Sequence, residues 1–338
     1  MKKKLSLAYR IFFKNENSRP VRQSIPGITP EQVAEVRAFF PLDKFFIFGH
    51  ARSGTTILAR LVRLHPQVHC NWQAHFFTRK PLLETLVADP EIEDWLSRRD
   101  NRWNHGIDLS PFILRVSADF IMEREARQLG KIIVGDKSPN SLMNGEAVRL
   151  LSKIYPDGKL IYIVRDGRDT VLSHRFQAFI DTPDQLNRED QSIREAFIKN
   201  PVLFLSGQQS IFTEKGISRA AEEWAANVQE TDSVAKELLV ERYFSLRYED
   251  LLAQPWNEMG KVWQFLGAST PQTDLMEAMN QEMNQNLDAD WQQEKAEAIA
   301  RSLQKGKQGS WRDFFTRRDI QIFESIAGKT LRAWRYES

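Results

Sequence analysis

Phe46-Ile47-Phe48-Gly49-His50-Ala51-Arg52-Ser53-Gly54-Thr55-Thr56 joins an apolar run to a glycine-bounded turn and the start of an apolar-periodic segment. An apolar, aromatic run, Lys44–Phe48, reads as a buried strand, and Gly49–Gly54 reads as a turn. Ile57, Leu58, Leu61 and Val62 then keep helical spacing until His65-Pro66. A strand–turn–helix unit of this kind aims several backbone N–H groups at one point, and the helix N-terminus adds partial positive charge. That makes an anion cradle. The glycines let the backbone approach closely. Ser53, Thr55 and Thr56 add hydroxyl donors, and Arg52 adds a full charge with a forked set of donors. The pattern departs from the triphosphate loop GxxxxGK[ST] at one deciding place. Thr55 follows the second glycine where that loop has its lysine, and the cation stands at Arg52 instead. No carboxylate downstream reads as a Walker-B partner, so a triphosphate with Mg²⁺ fits poorly.

Outward from this loop, Val68–Cys70 reads as a short strand and residues 76–130 as largely helical. Lys131–Val134 reads as a strand entering Gly135-Asp136-Lys137-Ser138-Pro139. A helix over about 144–154 precedes the central strand Lys159–Val164, and another helix begins near Asp169. Residues 180–215 read as a polar, irregular lid. A helix over about 217–240 leads to a strand Tyr243–Tyr248, and the rest is mainly helical. Strands alternating with helices predict an α/β fold, a P-loop-NTPase-like central parallel sheet flanked by helices. Helical insertions would form the acceptor side. The expected organisation is a peripheral N-terminal segment, 1–42, and one domain, 43–338.

The 338 residues carry a net charge of +2, which argues against a dedicated nucleic-acid binder. A single cysteine, Cys70, excludes an intrachain disulfide and a Cys-rich metal site. The N-terminus, Met1-Lys2-Lys3-Lys4 followed by LSLAYRIFF, is too short in apolar residues and is broken by Arg10. It reads as an amphipathic surface helix rather than a signal peptide. No apolar run is long enough to span a membrane. The expected location is the cytoplasm, with peripheral membrane contact through the basic N-terminus as the alternative.

Two further segments offer anion contacts. Arg165 falls at the carboxyl end of the central strand, where α/β sheets bind ligands, and Ser173 stands eight residues on in the next helix. An arginine and a hydroxyl so placed can grip one phosphate from two sides. A surface Arg165–Asp169 ion pair with Ser173 facing water is the competing reading. Near the C-terminus, Gln304-Lys305-Gly306-Lys307-Gln308-Gly309-Ser310-Trp311-Arg312 is a basic, glycine-containing loop with an aromatic anchor. A 5′-phosphosulfate, with fewer charges than a triphosphate and no metal, suits the first loop well.

Together the loop Arg52–Thr56, the Arg165/Ser173 pair and the loop Lys305–Arg312 resemble the signature of sulfotransferases that use 3′-phosphoadenosine 5′-phosphosulfate (PAPS). The resemblance covers roughly residues 43–316. It implies that the first loop, with Arg52, Ser53, Gly54, Thr55 and Thr56, holds the 5′-phosphosulfate. It implies that Arg165 and Ser173 hold the 3′-phosphate. Gly306-x-x-Gly309-x-Trp311-Arg312 matches the family's GxxGxW[KR] loop, so Lys305 and Gly306 would reach the same phosphate. Arg247-Tyr248-Glu249-Asp250 resembles the family's YED segment, which places Tyr248 near adenine. Gly135-Asp136-Lys137-Ser138-Pro139 resembles a stretch whose lysine approaches the transferred group. PAPS would be the co-substrate, adenosine 3′,5′-bisphosphate (PAP) the product, and no metal would take part. The family's pattern often has an arginine where this chain has Gln304.

The general base is where the resemblance departs. Cytosolic members use a histidine two residues after the lysine of a KTH stretch, and this chain has Pro139 there. Tyrosylprotein-type members use a glutamate shortly after the first loop's helix. Alignment on His65-Pro66…Cys70 places Gln73 at that position, and an amide cannot take a proton. His75 is the nearest titratable neighbour and the candidate base, with His69 second; an imidazole pKa of about 6.5 suits the task. Arg52, Lys137 and His75 are thus the expected catalytic residues. Trp72, Phe76 and Phe77 are candidates to line the acceptor pocket, with core packing as the alternative. The expected activity is sulfuryl transfer to a hydroxyl or amine of a small-molecule, carbohydrate, lipid or peptide acceptor. The alternatives are a non-catalytic PAPS- or PAP-binding member of the fold and a P-loop kinase.

Overall fold

The computed structural model describes residues 24–269, 274–284, 299 and 308–336. In chain order the first elements are α1 (Pro30–Phe39), β1 (Asp43–Phe48), α2 (Thr55–Arg63), β2 (Val68–Trp72), α3 (Pro90–Ser97) and α4 (Ser110–Gln128). They continue with β3 (Ile133–Lys137), α5 (Glu146–Ile154), β4 (Lys159–Val164), α6 (Gly167–Asp181), α7 (Arg188–Lys199) and α8 (Pro201–Leu205). The last are α9 (Glu214–Leu239), β5 (Tyr243–Arg247), α10 (Tyr248–Ala253), α11 (Pro255–Leu266), α12 (Asp274–Asn284), α13 (Trp311–Phe314) and α14 (Arg317–Ala333).

The five strands form one sheet in the order β2-β3-β1-β4-β5, and every pairing is parallel. The central strands β1 and β4 are buried and apolar over most of their length, Phe45–Phe48 and Leu160–Val164, because both faces are covered. On β1, Phe45 and Ile47 enter the core beneath α2 and α11, with Leu58, Leu61, Val262 and Trp263. Phe46 and Phe48 enter the opposite core, with Leu114, Met122, Leu151 and Trp224. β1 has β3 on one side and β4 on the other, so the strand order reverses there. Ligands of open α/β sheets bind outside the carboxyl ends of the strands at such a reversal. The parallel α/β sheet expected from the sequence is the observed fold.

Details of the elements differ from the sequence reading. β3 runs through Gly135, Asp136 and Lys137 rather than ending before them. The segment read as an irregular lid holds α7 and α8, because its polar residues face outward while Phe197 and Phe204 stack edge-on at 5.4 Å inside. Residues 76–130 contain α3, α4 and a short 3₁₀ turn at Leu83–Val87, with irregular chain between them. β5 stops at Arg247 and Tyr248 begins a helix. Ahead of β1, Ile25, Ile28 and Val36 are buried, and Arg37 pairs with Asp157 at 3.0 Å. Among the described residues no helix is long and apolar enough to cross a membrane. The basic stretch at residues 1–13 lies outside the described residues.

Candidate active site

The carboxyl ends of all five strands gather the expected site residues. The loop after β1 depends on two glycines. A Cβ on Gly49 would stand 2.7 Å from the Ile163 carbonyl and 2.8 Å from Thr55 Cγ2. Gly54 has φ +90°, and a Cβ there would stand 2.2 Å from the Tyr248 ring. The tyrosine therefore lies directly on the loop. Ser53 N–H closes the turn onto the His50 carbonyl at 3.1 Å, and Asn140 N–H ties the loop to β3's end through the Gly49 carbonyl at 2.8 Å. Ser53 is buried, and its Oγ makes no hydrogen bond. A buried hydroxyl in that condition calls for a partner.

The second segment meets the first directly. Arg52 Nε donates to Ser173 Oγ at 3.1 Å, and Arg165 Nη1 donates to the Arg52 carbonyl at 3.3 Å. The Arg165 guanidinium lies 4.9 Å from the Tyr248 ring centroid, so the ring is held between Gly54 and Arg165. Arg165 Nε is buried without a partner. Glu249 fixes this edge: it accepts from Asp166 N–H at 3.0 Å and from the Tyr336 hydroxyl at 2.8 Å. The competing surface reading of the Arg165–Asp169 pair does not describe the geometry. Their separation is 4.0 Å, and Asp169 is 2% exposed. Its two oxygens instead accept from Gly309 N–H at 2.7 Å and Trp311 N–H at 3.0 Å.

Lys137, the last residue of β3, is fully buried on the same sheet face as α2. Its ammonium donates to Thr56 Oγ1 at 3.3 Å and sits 4.9 Å from the Trp72 ring centroid. Burial holds its pKa below the ordinary lysine range, opposed by Cys70 and Asp136. No carboxylate pairs with it among the described residues. Buried charges are normally paired with an opposite charge, whereas this ammonium faces a hydroxyl and an aromatic ring.

The chain after β2 forms a strained loop beside Lys137. Gln73 and His75 both have positive φ, 51° and 53°. Gln73 N–H donates to the Lys137 carbonyl at 2.7 Å, and Ala74 N–H donates to the buried Asp136 carboxylate at 3.0 Å. His75 N–H donates to Ser138 Oγ, and its Nδ1 faces Thr78 Oγ1, both at 2.9 Å. Partial burial lowers the His75 pKa, and the charges of Arg79 and Lys137 add to that. These effects favour the neutral imidazole. His69 is buried on the other sheet face, 3.5 Å from Glu125.

A family model described as a sulfotransferase family matches residues 44–274. The chain belongs to the sulfotransferase family. Protein-tyrosine sulfotransferase A of Caenorhabditis elegans is 31% identical over 135 residues, 38% of this chain and 32% of that protein. Heparan sulfate glucosamine 3-O-sulfotransferase 6 of Mus musculus is 24% identical over 259 residues, 75% of this chain and 60% of that protein. The matches thus span at most 60% of the length of either relative. Among solved structures, mouse sulfotransferase SULT7A1 complexed with PAP is 16% identical, covers 90% of each chain and gives a TM-score of 0.46.

The fold brings together Arg52, Ser53, Gly54, Thr55, Thr56, Arg165, Ser173 and Tyr248, with Lys137 alongside. Lys305 and Gly306 lie outside the described residues. Of the aromatic candidates, Phe76 and Phe77 are core residues, and Phe77 packs edge-on against Phe46 and Tyr155. Trp72 is 44% exposed beside Lys137. The sequence reading missed two histidines. His50 is in the loop itself, its Nδ1 3.0 Å from the Ala51 carbonyl, and burial lowers its pKa. His174 follows Ser173, and burial and the Arg52 charge lower its pKa. His50 stood in the quoted motif, and its type alone was the available signal.

Proposed function

We propose that this sulfotransferase moves a sulfuryl group from PAPS to a hydroxyl or amine of its acceptor, with no metal. The observation that carries the reading is the buried Lys137 ammonium, which faces the Thr56 hydroxyl and the Trp72 ring where an anion would neutralise it. The residues present suit the donor. The unpartnered Ser53 Oγ and the loop N–H groups would hold the 5′-phosphosulfate, and Arg165 and Ser173, with Lys305 and Gly306, the 3′-phosphate. Tyr248 would lie beside the adenine.

Transfer is then an in-line displacement, analogous to phosphoryl transfer. The acceptor atom forms a bond to sulfur while the bond from sulfur to the phosphate oxygen breaks. The electron pair stays on that oxygen, where Arg52 stabilises the developing charge. Lys137 steadies the sulfuryl oxygens, and His75 takes the acceptor proton. The acceptor class is a small molecule, carbohydrate, lipid or peptide. The working unit is residues 43–338 as one domain, and the location is the cytoplasm, with peripheral membrane contact as the variant.

A second reading, a donor-binding protein without transfer, is favoured by one feature: Gln73 and Pro139 stand where the family resemblance implies a base. Calorimetric titration with PAP in excess EDTA tests the donor half of both readings. Saturable one-site binding supports them, and no binding sinks them. Turnover with the donor separates the two.

A further inference from the structure

The sequence offered Asp169 only as a partner for Arg165, yet its geometry gives it a different role. It lies in the first turn of α6 and is 2% exposed, and both of its oxygens are used on backbone N–H groups of the C-terminal segment. Gly309 has φ +73°, and the Arg312 guanidinium folds so closely over it that a Cβ there would stand 2.4 Å from Arg312 Nη1. Arg312 also covers one side of the Trp311 ring at 4.6 Å, while Arg168 stacks on that ring at 4.0 Å. Arg168 is itself fixed by Asp166, with 3.0 Å and 2.8 Å bonds to its two oxygens. Gln308 Nε2 adds a bond to the Glu249 carbonyl at 3.3 Å. One buried carboxylate thus brings the segment Gln308–Arg312 alongside Arg165.

We infer that Asp169 is a positioning residue for the donor: it anchors the backbone of Gly309 and Trp311 so that this segment and Arg165 face the same 3′-phosphate. The inference rests on the donor reading given above. A carboxylate beside an arginine has two opposed effects on an incoming phosphate. It competes for the guanidinium, and it fixes whatever else it binds. Here the competing contact is long, 4.0 Å, while the anchoring contacts are short and charge-assisted. The anchoring effect should therefore dominate, and the sign of one substitution decides between them.

Asp169→Asn keeps the side-chain shape and one acceptor oxygen. Its amide N–H₂ opposes the second backbone N–H. It also removes the negative charge next to Arg165. If Asp169 mainly competes for Arg165, the variant binds PAP as well as the parent or better. If it anchors the segment, PAP binding weakens by about tenfold or more, as for a lost bond to a charged group. Binding of adenosine 5′-monophosphate, which lacks the 3′-phosphate, stays within about twofold of the parent. Isothermal titration with both nucleotides reads this directly. Equal losses for both, or no loss for PAP, overturn the inference. A parent protein that binds no PAP overturns the donor reading itself, which is a separate result.

Should Asp169→Asn not fold, hydrogen exchange in the unaltered protein decides. The Gly309 and Trp311 amides should be protected from exchange in the nucleotide-free protein, and exchange of both at open-loop rates overturns the anchoring role.

Discussion

Arg52 Nε donates to Ser173 Oγ at 3.1 Å, across 121 residues of sequence. This one bond joins the loop after β1 to the helix after β4, so the two motifs stand side by side. Arg165, bonded to the Arg52 carbonyl, belongs to the same unit. Arg165→Ala should weaken PAPS binding by roughly 10- to 100-fold, the loss of about 1.5–3 kcal/mol expected for a charge-assisted contact. Adenosine 5′-phosphosulfate, which lacks the 3′-phosphate, should bind almost unchanged. Calorimetry with both ligands checks this, and equal losses would assign Arg165 to the fold.

Gly54 carries the Tyr248 ring, and its positive φ suits only glycine well. Gly54→Ala should cost about 1–3 kcal/mol through backbone strain and displace the ring. Thermal unfolding measures the loss. Nucleotide affinity should fall with it. The double variant Gly54→Ala/Tyr248→Ala should recover part of the stability but not the affinity. No recovery would mean that the strain, not the ring, accounts for the whole cost.

Lys137 sets stability against activity. Its burial lowers the pKa from the ordinary value, so the charged form destabilises the folded state. That penalty is present at neutral pH. It is relieved as pH rises from the lowered pKa towards the unfolded value near 10.4. Lys137→Met should therefore unfold at the same or a higher temperature at pH 7, and its advantage should shrink at alkaline pH. Sulfuryl transfer by the same variant should fall by about 10²–10³. A variant that is both less stable and fully active would refute the placement of an anion there.

His75 governs the acid side of the rate profile. Its pKa is lowered by burial and by the charges of Arg79 and Lys137, so the neutral, proton-accepting form persists below the usual value of about 6.5. The rate should hold as pH falls to that value and drop only below it. His75→Ala should bind PAP normally and transfer about 10²–10⁴ times more slowly. His75→Gln should not rescue it, because an amide carries no proton. A near-parental rate for His75→Ala would move the base elsewhere, with His50 the next residue to substitute.

The loop after β1 and the Arg165/Ser173 pair were legible because each is local: a strand, a turn and the first turns of a helix carry the whole pattern. The parallel sheet was legible because β1 and β4 carry unbroken apolar runs, Phe45–Phe48 and Leu160–Val164, as burial on both faces requires. What escaped the sequence depends on distant partners. Asp169 reads as a neighbour of Arg165, and nothing local shows that Gly309 and Trp311, some 140 residues away, take its oxygens. The segment 188–205 reads as irregular because its polar residues outnumber Phe197 and Phe204, the two that pack inside. Phe76, Phe77 and Trp72 were indistinguishable as types, and only burial separates the two core rings from the exposed one.

The most direct measurement is label transfer from ³⁵S-PAPS into a mixed extract of metabolites, lipids, glycans and peptides, with excess EDTA and with the Lys137→Met variant as control. Thr55 in place of the P-loop lysine argues against a triphosphate–Mg²⁺ site, so chelation should not slow the reaction. The account predicts a labelled product identifiable by mass spectrometry, PAP formed in equal amount, and little label transferred by the variant. PAP binding with no labelled product from any acceptor class, or transfer that stops in EDTA and returns with Mg²⁺, would contradict it.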